Sequence, residues 1–164
     1  MQIEHQGTDL RGRATYLGFA NDLADLATLS VPARYFVLFV GADASRSIPE
    51  PYFTIAEHLL ELGAVYVVCW GPECRRAEDI FDEAVVGNGE TDRFGSIMTT
   101  SHPDESICQA LEFATSSAIP DDDFIESCSA LVVVLVGNIH WYNEAHNCLE
   151  DFLVDRVFKR TTPA

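Results

Sequence analysis

The chain has 164 residues, 48% of them apolar and 22% charged, and its 26 acidic against 10 basic side chains give a formal net charge of -16. A soluble domain of this size buries roughly 70% of its unfolded surface and needs neither a disulfide nor a metal to hold a core, which excludes a disordered chain. The longest apolar runs are too short to cross a bilayer, and a charge of this sign repels a phosphate backbone, so neither membrane insertion nor direct nucleic-acid binding is expected.

Glu4, His5 and Asp9 stand where a signal peptide would carry its basic and apolar regions, so a cytoplasmic location is expected. Cys69, Cys74, Cys108, Cys128 and Cys148 are an odd set scattered through apolar segments, and they read as reduced, mostly buried thiols.

From the N-terminus, Ala14 to Leu29 places Leu17, Ala20, Leu23, Ala24 and Ala27 on one stripe, which predicts an amphipathic helix stopped by Ser30 and Pro32. Residues 1–32 are therefore expected to be a helical segment packing on the domain or extending from it. The run from Tyr35 to Val40 is apolar at every position, as in a buried parallel strand covered on both faces. Pro49 and Pro51 open a helix whose Ile55, Ala56, Leu59, Leu60 and Leu62 recur at helical spacing, and Gly63 stops it.

The unit then repeats. Val65 to Trp70 is a second buried strand, Gly71-Pro72 a turn, and Cys74, Ala77, Ile80, Phe81 and Ala84 the inner stripe of a helix. A short strand is expected over 96–100, followed by a helix opened by Pro103-Asp104-Glu105 with Ile107, Cys108, Leu111, Ala114 and Ala118 inward. Ala130 to Val136 is the strongest strand, and Tyr142 to Phe158 a last helix, with Arg156, Lys159 and Arg160 suiting its C-terminus. Four strands each followed by a helix predict a single α/β domain, a three-layer α/β/α sandwich around a mostly parallel, Rossmann-like or flavodoxin-like sheet of about four strands. A ligand on such a sheet binds at the carboxyl ends of the strands, near the point where the winding direction reverses.

The loops at those ends are 41–46, 69–74, 101–104 and 137–142. Gly41 stands alone before Asp43, so the glycine cluster of a dinucleotide site is absent, and Lys159, the only lysine, excludes a nucleoside-triphosphate loop. Asp43 lacks the companion carboxylates that a Mg²⁺ site needs and reads as a turn residue. His140 and Glu144, four apart, with His102 and Cys69 in other loops, form no diagnostic zinc spacing, so neither a metal nor a cofactor is expected.

The stretch Val68-Cys69-Trp70-Gly71-Pro72-Glu73-Cys74-Arg75 resembles the phosphate loop of low-molecular-weight tyrosine phosphatases and the related arsenate reductases. The resemblance covers about eight residues and implies a nucleophilic Cys69 and an oxyanion-clamping Arg75. The sequence departs from that pattern at Pro72, Glu73 and Arg76, and it places the loop after the second strand rather than the first. Residues 49–127 carry 17 acids against Arg75, Arg76 and Arg93, with a dense run at Asp121, Asp122, Asp123 and Glu126. Such a flank steers a basic partner into contact. Trp70, Asn138, His140, Trp141 and Tyr142 offer an aromatic rim at the strand ends.

The preferred expectation is a non-enzymatic interaction module, an accessory, adaptor or immunity/antitoxin-like neutralising protein. It would bind a basic protein partner through the acidic flank and the aromatic rim. The alternative is a thiol-dependent phosphatase or arsenate-reductase-like enzyme using Cys69 and Arg75, with Asp43 and His140 as further candidate actors.

Overall fold

The computed structural model describes residues 1–45, 49–87 and 94–155. Its centre is β3 (Tyr35–Gly41), in which Phe36, Leu38 and Val40 pack toward one face of the sheet while Val37 and Phe39 pack toward the other. This two-sided burial is why the run is apolar throughout. From β3 the chain winds outward through α1 (Pro49–Leu62), β4 (Ala64–Trp70), α2 (Cys74–Val86) and β5 (Met98–His102). It then crosses back through α3 (Ile107–Ser116) to β6 (Cys128–Val136), on the other side of β3, and ends in α4 (Ile139–Phe152).

α1 and α2 cover one face, where Leu59 and Phe81 are fully buried, and α3 and α4 cover the other, with Leu111 and Leu149. The result is the expected three-layer α/β sandwich. Gly63, at φ +116°, turns the chain out of α1 with a Cβ position only 2.1 Å from the Arg34 carbonyl oxygen, so no other residue fits there without moving the backbone.

The first 29 residues differ from the expectation. Residues 14–29 do not form one helix: β2 (Ala14–Ala20) lies parallel to β6 in register from Ala14↔Ala130 to Ala20↔Val136, and a separate 3-10 helix follows at Leu23–Thr28, capped by the Asp22 carboxylate. β1 (Ile3–Thr8) adds to β2 antiparallel, and the sheet has six strands in the order β1-β2-β6-β3-β4-β5 instead of about four. The helical spacing of small apolar residues lost to the open edge of β6, which needed a partner. Thr15, Tyr16 and Phe19 suit that strand, and Gly18 leaves room for Ile3, whose Cγ2 would lie 2.8 Å from an added Cβ.

The turn between β1 and β2 is held by a buried ion pair. Arg13 Nε donates to Asp9 Oδ2 at 2.8 Å, and Asp9 Oδ1 accepts from the backbone N–H of Arg11 and of Arg13, each at 2.9 Å. The remaining Arg13 nitrogens donate to the carbonyls of Ala114 (2.7 Å) and Ala118 (2.8 Å), and Arg11 donates to Ser116 (2.7 Å). Two guanidiniums thus satisfy the open carbonyls at the C-terminus of α3, where the helix dipole favours positive charge.

Three further expectations shift. β5 starts at Met98 instead of residue 96, which makes His102 its last residue. α3 begins only at Ile107, behind a Ser106–Gln109 capping box, and α4 begins at Ile139 because Asn138 caps it. α4 closes at Phe152; Arg156, Phe158, Lys159 and Arg160 lie outside the described residues. The cysteines are not all reduced: Cys108 and Cys148 form a disulfide between α3 and α4, leaving Cys69, Cys74 and Cys128 as buried thiols.

Candidate functional site

At the carboxyl ends of the strands, backbone is packed on backbone. Gly71, at φ +113°, brings the turn after β4 so close to the turn after β3 that an added Cβ would stand 2.5 Å from the Ala42 carbonyl oxygen. Ala42 N–H donates to Trp70 and Ala44 N–H to Pro72, each at 3.0 Å, which fixes the two loops together. Beside them, Asn138 Oδ1 accepts from the N–H groups of His140 (3.0 Å) and Trp141 (3.3 Å) and so sets the direction in which α4 starts.

These anchors bring the two tryptophans of the chain together. Trp70 and Trp141 meet edge to face with ring centroids 5.2 Å apart, and Trp70 Nε1 donates to the Glu105 carbonyl at 2.9 Å. They border a cleft of about 650 Å³ whose charged lining is Glu73, Arg75, Asp104 and Glu105, a formal balance of -2. Glu105 is held in place by His102, whose Nδ1–H donates to its carboxylate at 2.9 Å. On the neighbouring surface the hydroxyls of Thr99 and Ser101 donate to the carboxylates of Asp82 and Glu78 on α2.

The residues picked from the sequence separate on this frame. Trp70, Arg75 and Trp141 line the cleft. Tyr142 lies one residue on, edge to face with Phe19 at 6.0 Å, and His140 is exposed in the first turn of α4. Asn138 acts as a helix cap. Asp43 Oδ1 accepts from the N–H and the hydroxyl of Ser45, the geometry of a turn. Asp121, Asp122, Asp123 and Glu126 precede β6 and therefore sit at the amino end of the sheet, a nine-residue strand away from Trp141. At ~3.3 Å per residue β6 alone spans about 26 Å, which places the acidic run and the aromatic rim at opposite ends of the sheet.

The Cys69 thiol is badly placed for phosphate chemistry. The pleat points Cys69 into the α1/α2 layer, whereas Trp70, next to it, packs with α3 and α4 at the cleft. Cys69 is fully buried, and its thiol is pushed well above the ordinary range by burial first and then by the charges of Glu78, Cys74 and Asp82. Part of the loop's donor set is also spent: Cys74 N–H donates to Gly71 and Arg76 N–H to Glu73, and Pro72 has no N–H. Among the described residues no group of three or more His, Cys, Asp or Glu is arranged to hold a metal ion.

Sequence reasoning missed Glu73, Asp104 and Glu105 as parts of the site. The signal was present in position alone, since each lies in a loop after β4 or β5. Missing too was the Asp9–Arg13 pair, whose i,i+4 spacing resembles an ordinary helix-surface pair.

Fold and cleft together define an α/β sandwich with an acidic, tryptophan-lined depression at its strand ends. Residues 14–152 match a family described as a domain of unknown function, DUF7684, and the chain belongs to that family. No curated protein matches the chain. Among the described residues no helix is long and apolar enough to cross a membrane.

Proposed function

We propose that the protein is a non-enzymatic interaction module that binds a basic protein partner in the cytoplasm, seating an arginine or lysine side chain of that partner in the cleft. One observation carries the reading: the Trp70–Trp141 pair stands in a cleft where Glu73, Asp104 and Glu105 outweigh the one cation, Arg75. An aromatic face attracts a cation, most strongly where the cation is desolvated, and carboxylates around it add charge-assisted hydrogen bonds to a guanidinium. The acidic run at the amino end of the sheet adds long-range attraction to the same partner without touching the captured side chain.

Calorimetric titration with a short peptide carrying one arginine tests this. Trp141→Ala is expected to weaken binding about tenfold, the value of one partly desolvated cation–π contact. Reversal of Asp121, Asp122 and Asp123 to lysine is expected to leave the peptide's affinity at moderate salt nearly unchanged, because those charges are screened beyond a Debye length. Full affinity in Trp141→Ala would remove the cleft from the reading.

A further inference from the structure

The two cysteines that pair are 40 positions apart and join α4, which carries Trp141, to α3, whose preceding loop supplies Asp104 and Glu105 to the cleft. Cys108 is the second residue of α3 and is partly exposed; Cys148 is on the buried side of α4. Glu105, whose carbonyl holds the Trp70 indole, is three residues before Cys108. Trp141 is seven residues before Cys148, two helical turns along the same face. The disulfide therefore ties the helix that carries one ring of the cleft to the helix that follows directly on its wall. The other three cysteines are buried thiols in the core and take no part in it.

We propose that the Cys108–Cys148 disulfide is a redox staple that sets the geometry of the cleft. Oxidised, it holds α3 against α4 and Trp141 against Trp70; reduced, the helix starts separate and the tryptophan pair opens. In a reducing compartment a disulfide is typically transient and regulatory, which fits a partly exposed bond of this kind. The exchange needs a dithiol reductant. One thiolate of the reductant attacks Cys108 Sγ, the S–S bond breaks, and Cys148 leaves as a thiolate and takes a proton. The second thiol of the reductant then displaces Cys108 as a thiol. The reductant ends as a disulfide, and two electrons and two protons have passed to the protein.

For its bearing on binding, the proposal rests on the interaction reading above; the geometric switch can be tested without it. Trp70 and Trp141 are the only tryptophans, so their fluorescence reports on the cleft alone. Acrylamide quenching is measured on the whole protein, air-oxidised and then treated with dithiothreitol, with thiols counted after denaturation. Three thiols are expected to become five, and the quenching constant is expected to rise about twofold as local opening exposes the rings. Cys108→Ser with Cys148→Ala is expected to show the higher value with or without reductant. Should that variant fail to fold, the two states of the wild type decide the matter.

Equal quenching in the three-thiol and five-thiol states would overturn the staple, as would five thiols in the air-oxidised protein. Neither result touches the arginine-peptide titration. Conversely, a redox-dependent quenching change in a protein that binds no peptide in either state would uphold the staple and overturn the interaction reading.

Discussion

Asp9 and Arg13 at one end of the sheet, and Glu73, Asp104 and Glu105 at the other, are all charged, but only the first two are buried. At the amino end Asp9 accepts three hydrogen bonds, from two backbone N–H groups and the Arg13 guanidinium, while Arg13 reaches one carbonyl in the last turn of α3 and one just beyond it. At the carboxyl end the loop backbones are bonded to one another, and the carboxylates stand exposed around two aromatic rings. Saturation by internal partners marks charge that maintains the fold. Exposure beside an organised apolar surface marks charge open to a ligand, even at Glu105, which already accepts from His102.

Arg13→Ala tests the first half of this contrast most severely. It leaves Asp9 buried without its ion partner and uncaps α3, so a loss of about 3–5 kcal/mol is expected in urea unfolding. A loss below about 1 kcal/mol would mean that the pair is no more structural than the surface acids. Trp141→Ala probes the other half: the tenfold loss in peptide affinity should come without a comparable loss of stability, and a variant that merely unfolds would reclassify the ring as core. Asn138→Ala sharpens the boundary between the two roles, since its cap orients the start of α4; about 1 kcal/mol should be lost thermally, with peptide affinity falling in proportion to the disordering of Trp141. The smallest effect is expected from lysine at Asp121, Asp122 and Asp123. Stability should move by no more than about 1 kcal/mol, most of it from Asp121, whose carboxylate accepts from the Asp123 N–H at 3.1 Å, since Asp122 and Asp123 are exposed.

How much of this was legible in the sequence depended on burial. β3, β4 and β6 are covered on both faces, so continuous apolar runs announced them, and the inner stripe of α2 was read residue for residue. β1 and β5 are edge strands with mixed or polar sequences and gave weak signals. β2 was misread because Leu17, Ala20, Leu23 and Ala24 share a helical stripe, while its actual determinant, the unpaired edge of β6, lies 116 positions further on. Distance in the chain also hid the disulfide, since nothing local pairs Cys108 with Cys148. For the site, the position of the four loops and both tryptophans was readable from the strand–helix alternation. The split between aromatic rim and acidic run was not, because it depends on knowing that the acids precede β6 and Trp141 follows it.

The pairing of β2 with β6 also sets an order of events in folding. The β3-α1-β4-α2-β5 segment closes through contacts between neighbours in the chain, whereas every β2–β6 rung joins residues 116 apart and cannot form until nearly the whole sheet exists. On a ribosome adding roughly 5–20 residues per second, the first hairpin emerges and then waits on the order of ten seconds for its partner strand. During that interval Leu17 and Phe19 have no sheet to cover them. The earliest segment to be synthesised is therefore the last to find its place, and nascent chains halted before residue 128 are expected to be the form most prone to aggregate.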